Sequence, residues 1–96
     1  MALKEWQINF NTAKTLESEG ADNELVILEY LSMLKNLGCN ALNTSEVNAW
    51  NEACRNLIEL YCLIGMMTEA EFFQTLVKEE GQPTDKKDFE KLCQML

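Results

Sequence analysis

The sequence contains no histidine among its 96 residues. Histidine is the usual base of Ser-His-Asp and Cys-His nucleophilic systems, and it is a ligand in most catalytic zinc sites. The chain also has no Gly-rich phosphate loop, no G-K-[ST] sequence and no D-x-D-x-D-G calcium loop. These absences exclude the commonest hydrolytic and nucleotide-dependent chemistries. The sequence therefore predicts a protein that is not an enzyme and that holds no cofactor or metal.

Paired carboxylates are the one remaining candidate for acid–base chemistry. Glu52 and Glu59 fall on the same face of a predicted helix, but Arg55 lies between them in sequence. Opposite charges three or four residues apart on a helix attract one another. The sequence therefore predicts an ion-paired surface stripe here and no acid–base site.

No apolar stretch approaches the length of a membrane-spanning helix. The longest, LYCLIGMM, is far short of the roughly 20 residues that cross a bilayer. The segment MALKEWQINF at the start lacks the apolar core of a secretory signal. One proline and four glycines leave no linker or low-complexity segment. We therefore expect a single helical domain over residues 1–96, in a cytoplasmic protein without membrane contact.

The cysteines do not form the close pairs that metal sites use. They stand at positions 39, 54, 62 and 93, with no C-x-x-C pair. A disulfide framework usually belongs to a secreted, loop-rich chain, whereas Cys54, Cys62 and Cys93 fall within helical apolar patterns. The sequence predicts reduced thiols that lie in the core.

Basic residues are scarce, because 8 lysines and arginines stand against 16 acids for a formal net charge of −8. Binding to nucleic acid requires clustered lysine and arginine, and an anionic membrane surface attracts the same residues. Direct binding to either is therefore disfavoured. A protein partner with a basic surface is the ligand that this charge favours.

Glycines divide the chain into helical segments. Each of the four follows a stretch with apolar residues at helical spacing, and glycine commonly ends a helix in the left-handed conformation. The segment EWQINFN also alternates as a strand would, but no second strand is available to pair with it. The pattern predicts an all-α, compact bundle of four to five short helices, at approximately 2–19, 22–37, 45–64, 68–80 and 84–96.

Two of these helices are unusually apolar. The helix over 22–37 is apolar nearly all round, which is typical of a helix at the centre of a bundle or buried in a partner. So much apolar surface in a short chain predicts a homodimer or a tight partner complex through a helical face. The helix over 45–64 carries a stripe with alternating steps of three and four: Val47, Trp50, Cys54, Leu57, Tyr61 and Ile64.

The segment MTEAEFFQTL has the form of a helix start. Thr68 and Glu71 stand at the positions of a capping box, in which each side chain bonds the other's backbone N–H. Met67 and Phe72 stand at the positions of a hydrophobic staple. The sequence therefore predicts that Thr68 caps the fourth helix.

The sequence TEAEF within this segment resembles a stretch of the DNase-colicin immunity proteins, which are small, acidic and helical. The acidic recognition segment of that family continues into a Tyr-Tyr turn, whereas this chain has only Tyr30 and Tyr61, far apart. The resemblance is local, and it does not assign the chain to that family.

The strongest functional pattern is an acidic cluster with no base between Lys14 and Lys35. It flanks the turn between the first two predicted helices, so it should crowd one end of the molecule. One interpretation is a solubilising surface, and the other is a patch that docks on a basic protein surface. The candidate partner-binding residues are Glu17, Glu19, Asp22, Glu24 and Glu29.

Two functions remain open at this point. The first is an inhibitor that covers the basic groove of a nucleic-acid-acting enzyme, as immunity proteins and phage anti-defence proteins do. The second is a structural or adaptor protein that acts through helix-mediated homo- or hetero-oligomerisation. Neutralising the acidic cluster should abolish the first function and spare the second.

Overall fold

A computed structural model describes residues 2–96, and over that range the fold is all-α. The predicted fold class is confirmed, and the strand alternative for EWQINFN is wrong, because those residues begin the first helix. The predicted helix ends shift by at most four residues, and the end of the second helix at residue 37 is unchanged. The five helices are α1 (Glu5–Ser18), α2 (Asn23–Leu37), α3 (Thr44–Leu63), α4 (Met67–Leu76) and α5 (Lys86–Gln94).

Helix α2 lies at the centre of the bundle, in contact with α1, α3 and α5. Its apolar character explains this place, since only several neighbours can cover so wide an apolar surface. Each large aliphatic side chain buried in this way contributes about 1.5–3 kcal/mol. The buried positions of α2 are Val26, Ile27, Tyr30, Leu31, Met33 and Leu34.

The a/d stripe predicted for α3 faces the core. All of its members are buried except Ile64, which is half-buried. Helix α4 packs on α3, and the stacked rings of Tyr61 and Phe73, with centroids 5.6 Å apart, form part of that contact. The stripe therefore packs against both neighbouring helices, α2 and α4.

A glycine-dependent turn ends α3 and leads into α4. The backbone N–H of Met66 donates to Tyr61 O at 2.8 Å, and that of Gly65 donates to Cys62 O at 3.1 Å. This pair of bonds is a Schellman motif, in which the residue after the C-cap adopts a left-handed backbone conformation. Gly65 supplies it with φ of +79°. The α1–α2 turn has the same arrangement around Gly20, where φ is +72°.

The predicted capping box and staple of α4 do not form. The helix begins at Met67, its N-cap is Met66 with no side-chain cap bond, and Met67 is 55% exposed. The cause is the preceding turn. Because Met66 is already fixed by its bond to α3, the chain enters α4 one residue before Thr68 could act as cap, and Glu71 has no reciprocal partner.

Helix α4 ends at Leu76 rather than near residue 80, because side chains of α3 form hydrogen bonds with the backbone there. The indole Nε1–H of Trp50 donates to Leu76 O at 2.8 Å. Asn51 accepts from the N–H of Lys78 at 2.9 Å and donates to Lys78 O at 2.8 Å. These bonds draw Val77 into an extended conformation. A carbonyl and an amide that would continue the helix are thus used by α3 instead.

The segment that follows α4 is held by Lys78, which is only 6% exposed. Its Nζ lies 4.1 Å from the ring centroid of Trp50, a cation–π contact. Burial lowers the pKa of Lys78. Further on, Gly81 belongs to a turn in which the N–H of Gln82 donates to Glu79 O at 3.2 Å. The prediction that Gly81 ends a helix is therefore wrong.

All four cysteines are free thiols, as predicted. Only Cys54 is buried in the core, and burial raises the pKa of its thiol to about 12. Cys62 is exposed, so the prediction of a core thiol is wrong there. It lies off the a/d stripe, one residue beyond Tyr61, and that position points away from α2 and α4.

We predict that Gly65→Ala lowers the free energy of unfolding by about 1–2 kcal/mol, because a left-handed backbone strains an L side chain. A Cβ at this position would meet no atom within 4 Å, so the loss comes from the backbone alone. Urea unfolding measures it. Gly65→Asn, which tolerates this conformation better, should lose less. Equal stability of the alanine variant and the wild type would contradict the assignment.

Candidate protein-binding surface

Four of the five members of the predicted acidic cluster are exposed, and three of these flank the α1–α2 turn: Glu19, Asp22 and Glu24. None of them forms a salt bridge or a side-chain hydrogen bond to another described residue. Asp22 is the N-cap residue of α2, but its side chain makes no cap bond. The charge of these three side chains is therefore directed to solvent and free to meet a partner.

The other two members of the cluster bond within the fold. Glu17 accepts the hydroxyl of Tyr30. Glu29 accepts from Asn9 Nδ2 at 3.0 Å. Asn9 precedes Glu17 by eight residues on α1, about two helical turns. The structure therefore brings Glu17 near the turn but places Glu29 farther along the seam between α1 and α2.

Tyr30 joins three helices at the base of this surface. Its buried hydroxyl donates to Glu17 on α1 and accepts from Asn56 Nδ2 on α3 at 2.9 Å. Burial, and then the hydrogen bond to Glu17, raise the pKa of Tyr30 well above its usual value. The bond to Glu17 favours the neutral tyrosine, which donates to the carboxylate, whereas the bond from Asn56 favours the charged form and partly offsets this effect. This network fixes α1 against α2 next to the acidic turn.

A salt bridge joins α1 and α3 across a shallow crevice that Glu17, Tyr30 and Asn56 also line. Lys14 Nζ lies 2.9 Å from Glu52 Oε2. The predicted stripe of Glu52, Arg55 and Glu59 is therefore wrong, because Glu52 pairs across to α1 and Arg55 forms no salt bridge within residues 2–96. Both partners are substantially exposed, so this pair contributes little to stability.

The α1–α2 turn meets the α3–α4 turn at one end of the molecule. Asp22, Asn23 and Glu24 line a shallow depression together with Ile64. Ile64, at the end of α3, thus lies beside the start of α2. Because Tyr30 also bonds Asn56 near the middle of each helix, α2 and α3 run antiparallel. Residues more than 40 positions apart in sequence thus share one surface.

Two segments of the chain carry its whole net charge, and parts of both lie at this end. Neither segment, 15–34 or 56–77, contains a lysine or arginine. The first holds five acids and the second three, Glu59, Glu69 and Glu71. The rest of the chain has eight acids and eight bases, which cancel. The acidic cluster predicted from the sequence did not include the second segment, although the lack of any base between Arg55 and Lys78 was a signal for it.

No protein-family model, curated protein or solved structure matches the chain. The part of the chain that the structure describes has no group of three or more side chains arranged to hold a metal ion. No helix found there is long and apolar enough to cross a bilayer.

We predict that Tyr30→Phe lowers the free energy of unfolding at neutral pH by about 1–2 kcal/mol, because Glu17 and Asn56 lose their shared partner. Unfolded tyrosine ionises above about pH 10, while folded Tyr30 keeps its proton, so the unfolded state binds fewer protons. The free energy of unfolding of the wild type should thus fall as pH rises above 10. The difference in this free energy between the wild type and Tyr30→Phe should become smaller over the same range. Urea unfolding at several pH values measures both.

Burial raises the pKa values of Tyr61 and Cys54 to about 12, and both residues remain in the two proteins. They therefore cause the loss of stability at high pH that Tyr30→Phe still shows. A constant difference between Tyr30→Phe and the wild type from pH 7 to 11.5 would contradict the role given to Tyr30.

Proposed function

We propose that the protein is a small acidic binding module, an inhibitor that blocks the basic surface of a nucleic-acid-acting enzyme. The observation that carries the proposal is the segregation of charge. All of the net charge of −8 arises from two segments without a base, and the fold brings parts of both to one end. A surface that served only solubility would have no need of such segregation.

Enzymes that act on nucleic acid present clustered lysine and arginine to the phosphate backbone. An acidic end of this kind competes for that surface. Its field also accelerates the encounter with a basic partner, by an amount that falls with ionic strength. Holding Glu19, Asp22 and Glu24 together without a counter-charge disfavours the folded state, and binding to a basic partner relieves that repulsion.

A cytoplasmic site of action accompanies this proposal. The four cysteines are free thiols, and free thiols persist in reducing compartments. Enzymes that handle nucleic acid are found in the same compartment.

A second candidate, an adaptor that assembles through an apolar helical face, is favoured by a different observation. Leu63 is 75% exposed and Met67 is 55% exposed, both at the α3–α4 turn. Exposed apolar side chains that cluster in this way often mark a protein interface. On this alternative, assembly would be insensitive to salt and to the acidic residues.

The acidic residues can be tested with a charge-matched control. The variant Glu19→Gln/Asp22→Asn/Glu24→Gln removes three charges from the α1–α2 turn. A control, Glu79→Gln/Glu80→Gln/Glu90→Gln, removes three exposed charges elsewhere. Each tagged protein is used as bait in a lysate of the source organism, or of the host it infects, at low and high salt, with mass spectrometry.

We expect the wild type and the control to retain a nucleic-acid-acting enzyme at low salt. The turn variant should retain at least tenfold less, and high salt should release the enzyme from all three. Retention that is equal for both variants would contradict the proposal. Recovery of only the protein itself, or of a non-basic partner at either salt, would favour the adaptor.

A further inference from the structure

A strip of exposed apolar side chains runs over the end of α3 and the turn into α4. Leu63, Met66 and Met67 are 75%, 42% and 55% exposed. Next to them, Leu63 and the exposed Cys62 line a shallow depression with Ile58 and Glu59. We call this set the apolar strip; its members are Cys62, Leu63, Met66 and Met67.

The apolar strip lies within the acidic end. It belongs to the segment 56–77, which has no lysine or arginine. Glu59 borders it on α3. Ile64, the residue after Leu63, lines a depression with Asp22 and Glu24 of the α1–α2 turn. Any molecule that covers the strip is therefore also placed against carboxylates.

A second copy of this chain is a poor occupant of the strip. An interface of standard size takes about 20–30 residues from each partner. Four apolar side chains are too few, so the surrounding residues must supply most of the contact. In a symmetric dimer each copy would set its acidic surroundings against the same acids of the other, and like charges oppose such association.

Charge complementarity selects the occupant. We propose that the apolar strip anchors an apolar segment of the partner polypeptide that is flanked by lysine or arginine, an inference that rests on the proposed function. The cationic side chains meet Glu59, Asp22 and Glu24, while the apolar ones cover Leu63 and Met67. An apolar centre with a charged rim is the usual organisation of a protein interface. The unbranched methionines can adapt to the shape of the partner.

Two labelled peptides test this assignment by fluorescence anisotropy at low salt. One is a Leu/Lys peptide that forms an amphipathic helix, and the other has every leucine replaced by serine at the same charge. The strip variant is Leu63→Ser/Met67→Ser. The control, Leu3→Ser/Ile8→Ser, changes two apolar residues that are exposed on the N-terminal part of the chain, at 54% and 50%. Because all four side chains are exposed, both variants should fold, and circular dichroism checks that they do.

We expect the Leu/Lys peptide to bind the wild type and the control alike, and to bind the strip variant at least tenfold more weakly. Equal binding to both variants would overturn the assignment. If the Ser/Lys peptide binds the wild type as tightly as the Leu/Lys peptide, this inference fails while the proposed function stands. If neither peptide binds, both fail. A wild-type dimer in light scattering that the strip variant dissociates would assign the strip to a second copy and overturn the inference.

Discussion

Helix α2 has apolar side chains around most of its circumference, and the neighbouring helices remove most of that surface from water, leaving Leu25 and Leu28 50% and 45% exposed. Helices α1, α3 and α5 all contact it, and α4 is attached indirectly, through the stripe of α3. This hierarchy determines where the chain can turn. Since α1 and α3 must both lie along α2, the α1–α2 turn and the α3–α4 turn are brought to the same end. The charge of that end is thus a consequence of how α2 is buried.

The same arrangement explains why some acidic side chains form hydrogen bonds within the fold while others face solvent. Glu17 and Glu29 lie where α1 meets α2, and they bond Tyr30 and Asn9 there. The three acids at the α1–α2 turn, Glu19, Asp22 and Glu24, form no salt bridge with any residue from 2 to 96. Repulsion among them is tolerated because the buried core supplies the stability. A surface kept in this state is suited to an oppositely charged partner.

Periodicity predicted the parts of the structure that depend on one helix at a time. The a/d stripe of α3 and the central place of α2 both follow from apolar spacing. Long-range bonds decided what periodicity missed. Helix α4 stops at Leu76 because Trp50, 26 residues earlier, takes its carbonyl, and no local pattern reports such a bond. The second acidic segment, 56–77, could be recognised in the sequence as a run without bases. Its position beside Asp22 could not, because it depends on how the helices pack.

We propose that the end at which the α1–α2 turn meets the α3–α4 turn is the surface that binds a cationic partner. The most direct test is a nuclear magnetic resonance titration of the ¹⁵N-labelled protein with decalysine at low salt. We expect amide shifts concentrated in Glu19, Asp22 and Glu24 and in the α3–α4 turn, and we expect them to vanish at high salt. Shifts centred on residues 79–91, or spread evenly over all exposed acids, would contradict the claim.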